Sequence, residues 1–280
     1  MLPVCITRWK QGHRTIPYPS QEPTMPDRFR GLPVVDASKC PQGCRDCAEA
    51  CPTRAITIDE EARAPGGERF RPGAWSLDLG RCLFCTDCME ACPDGAIRYS
   101  QDYRLATRRR EDMLLHEGQT LKLAEALAAK SLALFGRSLK LRQVSAGGCG
   151  ACEADLNVLN TVVFDLGRFG IQFVASPRHA DGIIVTGAVS ENMRTALLDT
   201  YAAVPVPKLV IAVGACAISG GPYVDNPEIH NGCASLVPVD LFIPGCPPHP
   251  MTILDGLLRL LGRVESKVNE RNCDSPQRAE

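Results

Sequence analysis

Residues 82–99 read CLFCTDCMEACPDGAIRY, and residues 40–58 read CPQGCRDCAEACPTRAITI. They are one unit used twice: four cysteines closing on Ala-Cys-Pro, then two residues, then an Ala-Ile pair. The second copy has the spacing C-x2-C-x2-C-x3-C-P. In that spacing three neighbouring thiolates take three corners of a [4Fe–4S] cubane, and the fourth reaches the other cluster. Cys82, Cys85, Cys88 and Cys51 are therefore expected to hold one cluster, and Cys40, Cys44, Cys47 and Cys92 the other. Pro52 and Pro93 end the local hydrogen-bond ladder just after each fourth ligand. The first copy departs by opening C-x3-C, so Cys40 lies one residue off the pattern and Gly43 is expected to absorb the extra residue. The competing reading is a pair of zinc ribbons, which close with two C-x-x-C knuckles across a longer gap.

Working outward, the chain has 280 residues and fifteen cysteines. A hydrophobic fraction of 45% against 22% charged is enough to bury a core, and a length of this order suggests two domains. A net charge of −1 gives no reason to expect nucleic acid as a partner. No apolar run is long enough to span a bilayer, and MLPVCITRWKQGHRTIPYPS lacks the apolar stretch of a secretory leader. The expected compartment is the cytoplasm, with membrane contact peripheral or through a partner. Thiols stay reduced there, so metal or cluster ligation is expected rather than disulfides.

Between the repeats, EEARAPGGERFRPG reads as a loop, and AWSLDLGRC returns the chain to the second cluster. Residues 108–142 place Leu121, Ala124, Ala128 and Leu132 near helical spacing, which predicts one or two amphipathic helices. Such helices pack on protein or, being basic, lie on a membrane surface. Beyond Cys149, the short apolar runs IQFVASP, GIIVTG, KLVIAVG and DLFIPG read as buried parallel strands. ENMRTALLDTYAAV and HPMTILDGLLRLLGRV read as helices. This alternation predicts a doubly wound α/β sheet, whose ligands sit at the carboxyl ends of the strands.

Cys216 follows one of those strands and Cys246 another. Cys149 and Cys152, in GGCGACEADLN, precede a helix. A redox dithiol explains the last pair but leaves Cys216 and Cys246 idle; zinc accounts for all four on counting alone. A third [4Fe–4S] cluster is the favoured reading, because a redox chain already begins in the same polypeptide. Glu153, Asp155, Arg178 and His249 are candidates for tuning that site, and His179 for an ordinary hydrogen bond. Cys5, Cys233 and Cys273 are expected to be free thiols. No G-x-G-x-x-G or G-x4-G-K-[ST] pattern supports nucleotide binding.

Residues 15–105, from TIPYPSQEPTMPDRFRGLPVVD through both cysteine runs, resemble the two-cluster ferredoxin subunits of complex I and of membrane-bound hydrogenases. Four stretches, GGCGACEADLN, DLGRFGIQFVASPRHADGIIVTG, PKLVIAVGACAISGG and LVPVDLFIPGCPPHP, resemble the small cluster-bearing subunit shared by complex I and group 4 [NiFe]-hydrogenases. Complex I subunits of this kind carry adjacent cysteines at the first position. The C-x-x-C here resembles the hydrogenase branch, of formate-hydrogenlyase or hydrogenase-4 type. Asp155 stands where relatives often carry Glu, and Ala215 where some have an acid.

The resemblance implies an α+β ferredoxin-like two-cluster domain (1–105), an amphipathic helical connector (106–142), an α/β doubly wound, flavodoxin-like parallel-sheet domain with the proximal cluster (143–265), and a polar tail (266–280). It also implies three [4Fe–4S] clusters and electron transfer to a catalytic large subunit. Further implied partners are membrane subunits of the same complex and an upstream electron-donor subunit or ferredoxin. The expected place is the cytoplasmic side of the cell membrane. A complex I-like quinone reductase subunit is the alternative within this class, and a zinc-stabilised scaffold the alternative outside it.

Overall fold

The computed structural model describes residues 2–41, 43–59 and 75–264. The expected loop after Asp59 and the polar tail with Cys273 lie outside these residues. A first helix, α1 (Leu2–Gln11), has no buried residue. An irregular strap then leads to β1 (Pro33–Val35). The first cysteine run contains the short helix α2 (Asp46–Glu49) and ends in β2 (Ile56–Ile58). The second is entered from β3 (Trp75–Asp78), contains α3 (Asp87–Glu90) and ends in β4 (Ile97–Tyr99).

The pairing of these strands is crossed. The strand before the first run pairs antiparallel with the strand after the second, Pro33 opposite Tyr99. The strand after the first pairs with the strand before the second, Ile56 opposite Leu77. The two copies therefore face each other head to tail. Gly43 sits at φ +79°, the left-handed backbone that lets the first run hold one more residue than the second.

The connector is not the expected amphipathic helix. Leu114–His116 form β5, which pairs with β3, and apart from a single 3-10 turn (Glu111–Met113) the helical part is Ala129–Phe135 (α4). The apolar residues that suggested helix are spent elsewhere. The Ala124 N–H donates to Ala106 O (2.8 Å) and the Leu127 N–H to Leu260 O (3.0 Å), so these backbone groups face other segments and not the preceding turn. The connector also contains most of an inner strand of the sheet, β6 (Leu139–Ser145), whose Lys140 and Arg142 disguise it.

The remaining elements follow the expected alternation: α5 (Ala151–Val158), β7 (Ile171–Phe173), β8 (Gly182–Thr186), α6 (Glu191–Ala203), β9 (Leu209–Val213), α7 (Gly214–Ser219), β10 (Leu241–Ile243) and α8 (Pro250–Leu260). The five strands are parallel in the order β7-β6-β8-β9-β10, which is the 2-1-3-4-5 order of doubly wound sheets. Strands β8 and β9 are buried at every position, as a parallel sheet covered on both faces requires.

Helix α8 is buried along its whole length. Its charged pair survives burial because it is matched: Arg259 Nε donates to Asp255 Oδ2 (2.7 Å), and Tyr18 Oη from the strap donates to Asp255 Oδ1 (2.7 Å). Removing one partner of such a pair costs roughly 3–5 kcal/mol.

The two units are locked together. Thr107 and Phe242 exchange two backbone hydrogen bonds (3.0 and 2.9 Å), and Ser219 Oγ donates to Gly80 O (2.9 Å). At Gly80 a Cβ would lie 2.7 Å from Ile218, so only glycine permits this approach. One apolar core runs from Trp75 and Leu77 through to Val144 and Ile218.

Candidate functional site

The crossed strand pairing decides which thiols meet. Cys40, Cys44 and Cys47 share a cavity with Cys92 of the other run. Cys82, Cys85 and Cys88 share a second cavity with Cys51. Each cavity encloses about 20 Å³. Backbone N–H groups point at the sulfurs that change cavity: Ala55 N–H to Cys51 Sγ and Ala96 N–H to Cys92 Sγ, both 3.2 Å, repeat one geometry in the two copies. Phe84 N–H does the same to Cys82 Sγ at 3.4 Å.

Trp75 lines both cavities, and its Nε1–H is buried without a hydrogen-bond partner. Burial, then the nearby Cys40 thiol, pushes Cys47 up to about 12. The Trp75 N–H lies near enough to oppose that rise without making a hydrogen bond of normal geometry. Burial likewise pushes Cys82 up to about 12, and Cys40 to about 11 with help from Cys92 and Cys44. Gathered thiols of this kind resist ionisation, because each thiolate would be desolvated beside its neighbours. A cationic core placed among them reverses that balance.

The third set lies at the carboxyl ends of the parallel strands. Cys149 and Cys152 follow β6, at the start of α5; Cys216 follows β9 in α7; Cys246 follows β10. Burial and Cys216 raise Cys152 strongly. Burial, then Cys246 and Cys149, raises Cys216 to about 11. Cys149 and Cys246 are exposed, so this set opens to the surface, whereas every thiol of the first two is buried or half-buried. Gly214, at φ +89°, makes room for it: a Cβ there would sit 2.5 Å from Cys152 Sγ.

The three sets form a series. Cys47 of the first feels the charge of Cys88 in the second, and Cys246 of the third feels Cys85 of the second. Among the described residues no three His, Cys, Asp or Glu side chains converge to hold a single metal ion. In the two enclosed sets the thiols ring a space. Soft sulfur donors in fours, N–H groups aimed at sulfur and an unsatisfied indole N–H all fit an iron–sulfur core.

The charged candidates divide. Glu153 is a fastener: although burial works to raise its pKa, hydrogen bonds from Ser145 Oγ (2.6 Å) and Thr186 Oγ1 (2.7 Å) hold it below the usual carboxylate value. They tie α5 to the ends of β6 and β8. Asp155 is raised by burial and shares a cavity of about 360 Å³ with Cys246, Phe29 and Arg30. His249 caps α8 by accepting the Met251 N–H at Nδ1 (3.1 Å), packs edge-on against Phe29 and has its pKa lowered by burial. The structure does not bring Arg178 to the cysteines. Arg178 and His179 lie in a turn (Pro177–His179) beside the amino ends of the strands, where the Asp181 N–H donates to Lys140 O (2.7 Å). Cys233 is fully buried, pushed up to about 12 by burial with no contribution from another cysteine, and Cys5 is exposed.

The sequence gives no sign of Trp75 as a shared wall, nor of the strap's reach. Arg30 Nη1 donates to Phe84 O (2.6 Å) beside the second set, a contact between residues 54 apart in the chain.

Residues 149–260 match the family described as NADH ubiquinone oxidoreductase, 20 Kd subunit, and residues 39–96 match the 4Fe-4S dicluster domain. Formate hydrogenlyase subunit 7 of Escherichia coli is 41% identical over 146 residues, covering 52% of this chain and 57% of that protein. The probable membrane-bound hydrogenase subunit mbhJ of Pyrococcus furiosus is 35% identical over 147 residues, covering 52% of this chain and 88% of that protein. An NADH-quinone oxidoreductase subunit of Citrifermentans bemidjiense is 43% identical over 125 residues, covering 45% of this chain and 71% of that protein.

Proposed function

The chain belongs to the NADH ubiquinone oxidoreductase 20 Kd subunit family, and on that premise we propose that it is an iron–sulfur electron-transfer subunit of a hydrogenase or complex I-type oxidoreductase, with two ferredoxin-type sites and a proximal site in one polypeptide. The ligand sets are Cys40, Cys44, Cys47 and Cys92; Cys51, Cys82, Cys85 and Cys88; and Cys149, Cys152, Cys216 and Cys246. A [4Fe–4S] cubane bound in each set supplies a one-electron carrier.

The protein's own contribution is order and insulation. The first two sets are buried or half-buried. N–H groups from Ala55, Phe84 and Ala96 stabilise charge on sulfur. Cys85 and Cys246 bring the second and third sets within electrostatic reach across the junction of the two units. The observation that carries the reading is the crossed grouping of eight thiols around two cavities with a third, surface-open set next in line.

The open face at Cys149 and Cys246 suits docking of a catalytic large subunit. A group 4 [NiFe]-hydrogenase partner is favoured by the C-x-x-C of Cys149 and Cys152 and by the two hydrogenase-type relatives. A quinone reductase partner is favoured by the identity to the NADH-quinone oxidoreductase relative. Nickel in the co-purified large subunit selects the first, and its absence the second. No described helix is long and apolar enough to cross a membrane. In the proposed complex, membrane subunits hold this chain peripherally on the cytoplasmic side, with an upstream donor, a placement in keeping with the relative named as a membrane-bound hydrogenase subunit. The flavodoxin-like reading of the second unit rests on its strand order. The purified chain should be brown, with a broad absorption around 400 nm that dithionite bleaches; a colourless chain carrying zinc would overturn the reading.

A further inference from the structure

Helix α1 plays no part in holding the cysteines. Its Leu2, Cys5, Ile6 and Trp9 recur at i, i+3, i+4 and i+7, which gathers them in an arc of about 100°. Nothing among the described residues covers that arc: Leu2 is 74% exposed and Trp9 84%. Arg8 and Lys10 fall on opposite sides of it, Arg14 follows, and no acidic residue occurs before Glu22.

The helix also leaves the body at a fixed point. Thr15 Oγ1 donates to Val162 O (2.7 Å) and the Ile16 N–H to Val163 O (2.9 Å), while Tyr18 is anchored on Asp255. At that point Val162 and Val163 are themselves 65% and 40% exposed. A ten-residue helix is marginal on its own in water, and its stability must come from what its apolar face meets.

We propose that α1 lies in the plane of an anionic membrane surface, with Leu2, Ile6 and Trp9 entering the acyl boundary and Arg8, Lys10 and Arg14 on the lipid phosphates. A cation pair straddling a narrow apolar stripe suits a flat, negatively charged surface, and a tryptophan suits the interface between headgroup and hydrocarbon. Each cation near such a surface strengthens binding about fivefold, so the helix acts as a second contact that orients a chain held mainly by its protein partners.

The inference goes beyond the electron-transfer reading and does not need it. The full chain is mixed with phosphatidylcholine vesicles, with and without phosphatidylglycerol, and sedimented; the emission of Trp9 is followed in parallel. Binding is expected only to the anionic vesicles, with a blue shift that is absent in Trp9→Phe. Ile6→Glu should weaken binding at least about tenfold, and Arg8→Gln with Lys10→Gln roughly thirtyfold. These positions are exposed, so circular dichroism and iron content should match the parent, which separates failure here from failure of the cluster assignment. Equal binding to neutral vesicles, no binding, or unchanged binding of Ile6→Glu overturns the proposal. So does a parent chain that ignores vesicles while Ile6→Glu loses co-purification with a partner subunit, since the helix would then dock on protein.

Discussion

Gly214→Ala perturbs the third cysteine set without touching a ligand. Gly214 opens α7 at φ +89°, and its Cβ would sit 2.5 Å from Cys152 Sγ. The left-handed backbone disfavours any residue with a Cβ by roughly 1–2 kcal/mol. Set against a typical stability of about 5–15 kcal/mol, that leaves the chain folded. The overlap is the greater effect. Non-bonded heavy atoms settle roughly 3.5–4 Å apart, so the Cys152 thiol must move by about 1 Å. Ligand distances at a metal centre tolerate about 0.2 Å, so the third site should no longer close. Anaerobically purified Gly214→Ala, reduced and examined by electron paramagnetic resonance, should lose one cluster signal and keep the two of the ferredoxin-like repeat. Gly43→Ala is the control: its backbone sits at φ +79°, but nothing lies within 4 Å of the added Cβ, so it should keep all three signals. A Gly214→Ala chain with three unaltered signals would refute the placement of Cys152 against α7.

Cys51→Ser should perturb the cluster of Cys82, Cys85 and Cys88 and spare that of Cys40, Cys44 and Cys47, read from which resonance signal changes; loss of only the nearer set would contradict the crossed grouping. Trp75→Phe removes the unsatisfied indole N–H and should lower the potential of the first cluster in a redox titration, since a donor to sulfur favours the reduced state; an unchanged potential would mean the N–H faces no charge. In the iron-free chain Cys47 and Cys82, pushed up to about 12, keep protons that the unfolded chain releases near 9.0, so stability should fall as pH rises from 9 toward 12. The urea midpoint measured at neutral and alkaline pH checks this, and a flat profile would show that the thiols are not buried together.

The repeat was legible because its information is local. Cysteine spacing, Ala-Cys-Pro and one glycine in the longer first copy are all visible in a few residues, and Gly43 adopts the left-handed backbone expected of it. The strands β8 and β9 were legible because burial on both faces leaves a continuous apolar run. The inner strand β6 was not, since Lys140 and Arg142 interrupt its pattern and its partners β7 and β8 come later in the chain. The connector misled for a related reason: Ala124 and Leu127 sit at helical spacing, yet their N–H groups bond to Ala106 and Leu260, which no local pattern announces. Charge was the least legible feature. Glu153 fastens a helix through Thr186, 33 residues away, His249 uses its ring for the local cap of α8, and Arg178 stands at the amino end of the sheet, which only the strand order reveals.

The central claim, three cubanes in one chain, is tested most directly by iron and inorganic sulfide analysis of the anaerobically purified protein. Three cysteine sets predict roughly twelve of each per chain. A value near eight would remove one set, with the one containing Cys40 the first to re-examine, and stoichiometric zinc without sulfide would contradict the account altogether.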